Sequence, residues 1–473
     1  MIDRTELLTL ANELGLEPRV VEKDYILGWA LAGIYHDPEL ARAWIFKGGT
    51  CLKKCFFETY RFSEDLDFTV TDEAQLDVAF LRERFTRLSA WLVNETGLEL
   101  PPGQLRFDVY DNRGGRQAQS RIAYRGPIAR RGGDLPRIKL DLTANELVVL
   151  APVERRVNHF YSDEPAEGII ARCYTFDEVF GEKIRALGER ARPRDLYDVI
   201  NLFRNAEFGA IAARIRDVVA RKCRFKNIPF PSLGALNALR DELAAEWENM
   251  LGHQLQALPP VDSFWGVLPE FFRWLMGEVE VTPSLALASL PLESGAEILR
   301  GPAGSIRIPG LGAPFIEMIR FAAANRLCVN LDYIDQHGSR STRLIEPYSL
   351  RRTRAGDVLL YAVRVDDGQD RSYRLDRILG AQIVQRNFVP RYRIELTPAG
   401  SLVIPNTAQR FSSNGTVRPR SRASRTAQIY VFRCTVCGKE FERRKYDATL
   451  RPHKDRGGRD CYGLIGSFVR TKY

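Results

Sequence analysis

Two short stretches of this 473-residue chain carry residue types that do chemistry. The first, FKGGTCLKKCFFETYRFSEDLDFT at 46–69, sets a Gly-Gly-Thr turn ahead of two aspartates one residue apart. In a strand, side chains alternate in direction, so Asp65 and Asp67 share one face while Leu66 and Phe68 take the other. Two carboxylates on one face repel, and a hard divalent cation relieves that repulsion. Mg²⁺ takes oxygen ligands and spans a few carboxylates and a substrate phosphate. The turn at Lys47, Gly48, Gly49 and Thr50 can present backbone N–H groups to a polyphosphate at a helix start. A third carboxylate is expected on a neighbouring strand, and RIKLDLT offers Asp141 as metal ligand or general base. An isolated D-x-D is as a rule a solvated strand face; the glycine turn upstream favours a site.

The second stretch reads CTVCGKEFERRKYDATLRPHKDRGGRDC, which spaces Cys434, Cys437, His453 and Cys461 as ligands of one tetrahedral Zn²⁺. All four positions are filled, so the ion is expected to be structural, holding together a module (428–473) too small to fold well alone. Arg443, Arg444, Lys445, Arg451 and Lys454 would then form a basic patch for nucleic acid, the alternative being a partner-docking or solubilising surface. Cys51, Cys55, Cys173 and Cys223 show no ligand spacing.

These residues need elements to position them. WIF at 44–46 and LDFTV suit strands, LKKCFFETY a helix, and FTRLSAWLVNETG a helix closing at Gly97. RFDVYDN, SRIAYRGPI and RIKLDLTA read as strands of one sheet. The pattern is helical over 1–43 and again from 176 to about 275. In EVFGEKIRALGER, Val179, Phe180, Ile184 and Leu187 form an apolar stripe, with Lys183 beside it where an ammonium can reach a phosphate; the alternative is a surface pair with Glu182 or Glu189. Pro193 suits the first turn of the next helix, and Asp195 there complements the helix dipole. Glu22, Lys23 and Asp24 either brace the site or form a charged helix face. Residues 276–313 are expected to be a linker, 314–400 a mainly β domain, and 412–427 a basic linker.

Composition narrows the class. Hydrophobic residues make up 45% and charged residues 27%, as in a soluble globular protein. No apolar run reaches the roughly 20 residues that span a bilayer, and the start of the chain lacks a signal-peptide core, so a cytoplasmic protein without membrane contact is expected. Residues 401–473 hold 16 of the 69 Lys and Arg but only 5 of the 60 Asp and Glu, so all the excess positive charge lies in the tail. A basic end on a neutral body points to a polyanionic partner, nucleic acid above all.

In that order, EKDYILGWAL, FKGGTCLKKCF, RFSEDLDF, IKLDL and FDEVFGEKIRALGERARPRDLYDVINLF resemble the AbiEii/AbiGii nucleotidyltransferase toxin family, of the polymerase β-like superfamily. The resemblance covers roughly residues 1–270, within a nucleotidyltransferase domain expected over 1–275. It implies an α+β fold with a polymerase β-like core and a helical part. It gives Gly49 and Thr50 to the phosphate cradle, Asp65 and Asp67 to the metals, Lys183 to the triphosphate, and Asp195 and Asp198 to an R-D-x-x-D element. LDYIDQHGSRSTRLIEPYSLRRTRAGDVLLYAVRVDDGQDRSYRLDRI resembles a WYL domain, a small Sm-like β fold that senses ligands. Its namesake tripeptide is replaced here by Val358, Leu359 and Leu360. Arg351, Arg352, Arg354, Arg374 and Arg377 form either a guanidinium cluster for phosphates or a solvated strand face, with Tyr348 and Tyr373 either stacking on bases or in the core.

The chemistry implied is two-metal, Mg²⁺-dependent transfer of a nucleoside monophosphate from an NTP to RNA, such as tRNA, by the toxin of a toxin–antitoxin or phage-defence system. A separate DNA-binding antitoxin is the implied partner. Transfer to a protein side chain, and a regulator that binds nucleotide without turnover, are the competing readings.

Overall fold

Helical apolar spacing and two prolines at first-turn positions open the chain as Arg4–Leu14 (α1), Pro18–His36 (α2) and Pro38–Ala43 (α3). Proline suits a first turn, where its missing N–H has no partner to lose. Asp37 caps α3 by accepting from the N–H groups of Glu39 and Leu40. The computed structural model describes residues 1–14, 16–56, 61, 63–112, 115–128, 134–204, 212–279, 287–291, 297–299, 314–396, 429–443, 450, 453–455, 457–461 and 466–472. Most of the expected 276–313 linker and all of the basic linker at 412–427 lie outside these.

Trp44–Lys47 forms β1, Gly48–Cys51 a single helical turn (α4) that runs into a π-type turn at Leu52–Phe56, and Asp65–Val70 forms β2. Helix α5 (Val78–Thr96) follows, its first turn capped by Asp77. Then come β3 (Phe107–Asn112), β4 (Gly115–Ala123), β5 (Arg137–Thr143), β6 (Val153–Val157) and β7 (Ile169–Cys173). The seven strands make one sheet in the order β3-β4-β5-β2-β1-β7-β6. β2 runs parallel to β5 and β1 parallel to β7, the other neighbours being antiparallel. Alternation along β3, β4 and β5 buries Phe107, Ala118, Ile122, Ile138, Leu140 and Leu142. Phe107 packs on Phe85 of α5, with ring centroids 5.2 Å apart. The opposite face is polar and open, with Arg121, Gln119, Asp108, Tyr110 and Arg137 exposed.

The helical part comprises α6 (Phe176–Arg190), α7 (Pro193–Arg204), α8 (Ala212–Lys226), α9 (Leu233–Asn237), α10 (Arg240–Leu251), α11 (Asp262–Trp265) and α12 (Leu268–Met276). A buried charge network joins it to the sheet. Glu178 of α6 accepts the N–H groups of Val149 (3.0 Å) and Leu150 (2.9 Å). Lys222 of α8 meets Glu178 at 2.8 Å and Glu182 at 3.0 Å.

After the two-residue strand β8 (Glu297–Ile298), the region expected to be mainly β opens instead with a helix, Pro314–Ala324 (α13). Strands β9 (Leu327–Ile334), β10 (Arg340–Arg352), β11 (Val358–Arg364), β12 (Asp370–Arg374) and β13 (Ile378–Asn387) follow, in the order β12-β11-β10-β9-β13. RLIEPY is part of β10; the register shifts between Pro347 and Ser349, where proline has no N–H for the ladder. Met1–Val403 is one compact unit and Ile404–Tyr473 another. In the second, β15 (Glu440–Arg443), β14 (Ile429–Cys434) and β18 (Gly466–Lys472) form a three-stranded sheet, and β16 (His453–Lys454) pairs with β17 (Asp460–Cys461). No helix among the described residues is long and apolar enough to cross a membrane.

Removing one partner of a buried ion pair leaves an uncompensated charge, at a cost of about 3–5 kcal/mol. Glu178 and Lys222 are 0% and 3% exposed. Lys222→Ala is therefore expected to destabilise the first unit by about that amount, seen as a lower urea midpoint. An unchanged midpoint would show that the network does not hold α6 and α8 to the sheet.

Candidate active site

Strand register assembles the site. Lys47 stands opposite Asp67 across β1 and β2, Asp67 opposite Asp141 across β2 and β5, and Asp65 opposite Lys139. Cross-strand partners project from the same face, so three carboxylates stand together on the polar side of the sheet. The turn closes over them. Gly48 has φ +80°, and a Cβ on it would fall 2.3 Å from Asp67 Oδ2. A Cβ on Gly49 would meet Arg61 Nη2 at 2.8 Å and Ser63 Oγ at 2.9 Å. Close approach thus requires both glycines.

Thr50 is fully buried, and its hydroxyl donates to the backbone oxygen of Asp65 at 2.6 Å. Its side chain ties the turn to β2, which leaves the backbone N–H groups of the turn as the part able to face a phosphate. Lys47 pairs with Glu146. Lys183, from α6, meets Asp198 of α7 at 2.8 Å, and its charge also acts on Asp67. Asp198 further holds Arg61 through two bonds of 3.0 Å. Burial pushes the Asp198 carboxyl up, but Arg61 and Lys183 together bring it down to about 2. Asp195 is not part of this group: it receives two bonds from Arg190, at 2.7 and 2.9 Å, which join the end of α6 to the start of α7.

Burial pushes Asp67 up to about 6; Lys47 opposes that, and the charges of Asp141 and Asp65 add to it. Asp65 is raised as well, mainly by burial. Lys139 Nζ lies 2.5 Å from Asp141 Oδ2, whereas Asp141 Oδ1 is buried with no hydrogen-bond partner among the described residues. An unsatisfied carboxylate oxygen beside two carboxylates whose proton affinity burial raises is a donor set that a hard divalent cation fits.

Several residues of the site escaped the sequence reading. Lys139 had a signal, since it alternates with Asp141 on one strand. Arg194 lies inside ARPRD; its charge reaches Asp65, and its Nε is buried without a partner among the described residues. Arg61 had none, because its partner Asp198 is distant in sequence. The brace is split among three residues. Asp24 accepts Lys54 Nζ at 2.6 Å and the Tyr161 hydroxyl at 3.0 Å, anchoring the turn that follows the glycines. Glu22 accepts the Ile128 N–H at 2.8 Å, and Lys23 pairs with Glu64.

The arginines of the 314–400 region are not gathered. Arg351 is fully buried; it bonds the carbonyls of Pro291 (2.8 Å) and Leu290 (2.9 Å) and pairs with Glu395 at 3.1 Å. Arg352, next along the strand, is exposed. Arg374 is held by Asp357 (2.7 Å) and Asp376 (2.9 Å), and Arg377 is half-buried. Tyr348 and Tyr373 are both core residues. In the second unit the ligand atoms of Cys434, Cys437, His453 and Cys461 lie within 4.8 Å of one another. Cys434 and Cys461 Sγ are 3.8 Å apart, and His453 pairs directly with Cys461 across β16 and β17. This sulfur–nitrogen set fits zinc. Arg443 ends β15, while Arg444 and Lys445 lie outside the described residues.

A glycine turn over a carboxylate trio, faced by a lysine from a following helix, suits a nucleotidyltransferase, the class to which the family match assigns the protein. The chain belongs to the family described as nucleotidyl transferase AbiEii toxin, type IV TA system, whose model matches residues 29–276, more than half of its length. Residues 314–383 match the WYL domain. Among solved structures, the nucleotidyltransferase toxin MenT4 of Mycobacterium tuberculosis H37Rv is similar at 19% identity, over 57% of this chain and 89% of that one, with a TM-score of 0.36. Proteasome accessory factor B/C (PafBC) of Arthrobacter aurescens is similar at 16% identity, over 61% of this chain and 41% of that one, with a TM-score of 0.16. TM-scores this low add nothing to the family assignment. No curated protein matches.

Two outcomes follow from the site geometry. Asp67 holds its proton to about 6, above its ordinary 3.8, so its stabilising contribution is present in acid and is lost as pH rises from the lower value through the higher one. Mg²⁺ needs the ionised form, so it is expected to raise Tm clearly near about pH 7.5 and far less near about pH 5, and Asp67→Asn should abolish the gain. An equal Mg²⁺ shift at both pH values contradicts this site. For the tail, Cys437→Ser or a strong chelator should make Ile404–Tyr473 protease-sensitive while Met1–Val403 stays resistant; a tail that resists protease without metal is not held by zinc.

Proposed function

We propose that this toxin transfers a nucleoside monophosphate from an NTP to a hydroxyl of an RNA acceptor, tRNA among the candidates, with Mg²⁺ held by Asp65, Asp67 and Asp141. The observation that carries this reading is the shared register of those three carboxylates beneath the Gly48–Gly49 turn, with Lys183 within electrostatic reach. The turn and Lys183 bind and orient the triphosphate. The acceptor oxygen forms a bond to the α-phosphorus, the bond from that phosphorus to the bridging oxygen breaks, and pyrophosphate leaves with the electron pair. Asp141, whose Oδ1 has no partner among the described residues, takes the acceptor proton. Bound Mg²⁺ supplies charge neutralisation to the entering and leaving oxygens.

A polynucleotide acceptor is favoured over a protein by the face on which the carboxylates stand. Asp65 pairs with Lys139, and Lys139 pairs with Arg121 on β4. Arg106, just before β3 and exposed, extends that row to the sheet edge. A row of cations leading away from the carboxylates suits a phosphate backbone. Exposed Tyr110 lies on the same face, where a base can stack. Nucleotide and RNA substrates fit a cytoplasmic protein. A separate antitoxin protein is the partner that type IV toxin membership implies.

The test uses each labelled NTP in turn, with Mg²⁺ and total RNA or lysate. Label in RNA is expected, and Asp65→Ala with Asp67→Ala should reduce it by more than about 10²-fold. Label in protein, or none, replaces the RNA reading. Arg106→Ser with Arg121→Ser should weaken RNA binding and lower the salt slope by about 1 per arginine, leaving NTP binding unchanged. An unaltered slope removes the row from the acceptor path.

A further inference from the structure

Away from the carboxylates, three cysteines meet that no sequence spacing relates. Cys51 ends the Gly48–Cys51 turn, Cys55 lies in the π-type turn that follows, and Cys173 ends β7, paired with Phe46 of β1. Their Sγ atoms all lie within 4.8 Å of one another, and all three residues are 0% exposed. Of the eight cysteines, three form the tail site with His453, and three of the other five converge here from two distant segments. Phe56 lies beside them, with the Arg155 guanidinium 4.8 Å over its ring and close enough for its charge to act on Cys55 and Cys173.

We propose that Cys51, Cys55 and Cys173 form a second metal site, for a soft thiophilic cation held by three thiolates behind the nucleotide-binding turn. The donors are all sulfur; no carboxylate or imidazole belongs to the cluster among the described residues, which disfavours Mg²⁺, Ca²⁺ and Mn²⁺. Metal–sulfur bonds of about 2.3 Å place three sulfurs around one ion roughly 4 Å apart, so the observed cluster needs only small shifts to close. On binding, three S–H bonds break, three metal–sulfur bonds form, and three protons pass to solvent. A monovalent ion leaves the complex at −2 and a divalent one at −1; Arg155 offsets one charge. Burial excludes water as a fourth ligand and favours a low-coordinate ion of the copper(I) type, whereas charge balance with Arg155 favours a divalent ion of the zinc type. Either ion would pin the turn after Gly48–Thr50 to β7.

The test uses the full-length chain with Cys434, Cys437 and Cys461 all changed to serine, which disables the tail site in its separate unit. Titration with Cd²⁺ under reducing, anaerobic conditions is expected to give an ultraviolet thiolate-to-metal band that saturates at one equivalent and disappears on adding Cys55→Ser. Displacement by Zn²⁺ or by copper(I) then identifies the preferred ion. If the Cys55→Ser chain fails to fold, the one-equivalent band of its parent still decides. No saturable band overturns the site and leaves the cysteines as apolar packing. Two thiols missing from a count on the denatured parent overturn it in favour of a disulfide.

Discussion

Like charges forced onto one sheet face are the constraint around which this molecule is arranged. Asp65, Asp67 and Asp141 stand together because β2 lies between β1 and β5 in fixed register, and a slip of one residue would turn each of them into the core. Burial makes Asp67 hold its proton up to about pH 6 and Lys139 neutralises one oxygen of Asp141, while the other oxygen has no partner among the described residues. Each is the condition of a site waiting for positive charge. Lys139 acts as a resident cation, and a metal ion taking its place would free an ammonium at the head of the row leading to Arg121.

Much of this was legible because it is local. Alternation placed Asp65 and Asp67 on one face, the glycine turn announced a close approach, and Cys-x₂-Cys announced a metal knuckle. Asp141 could be named because a strand pattern carried it, although its register could not. Features made by distant segments were invisible. Arg61 finds Asp198, and Cys173 finds Cys51 and Cys55, only through the fold. β6, VERRV, looked like no strand, since as an edge strand it pairs on one side only and keeps polar side chains. Helix α13 was missed because a strong β pattern followed it.

The arginines of the WYL region show where pattern misleads. Arg351 and Arg352 are adjacent, so on a strand they must face opposite sides. One is sealed against Glu395 and two carbonyls, and the other is in solvent. A buried guanidinium with four of its five N–H donors engaged is a structural tie between β10 and the chain at Leu290–Pro291.

Asp195 and Asp198 show how two acids three residues apart on one helix do different work. Both are buried, so both need partners. Asp195 finds Arg190 across the α6–α7 corner and ties the end of one helix to the start of the next. Asp198 then takes up Lys183 itself, together with Arg61, whose guanidinium passes beside Gly49. The low carboxyl affinity for protons that results means Asp198 stays charged at any physiological pH, so it can hold two cations at once. In the proposed reaction a triphosphate beneath the glycine turn would compete with Asp198 for Lys183, and Arg61 would keep the buried acid paired if the lysine turned to the substrate.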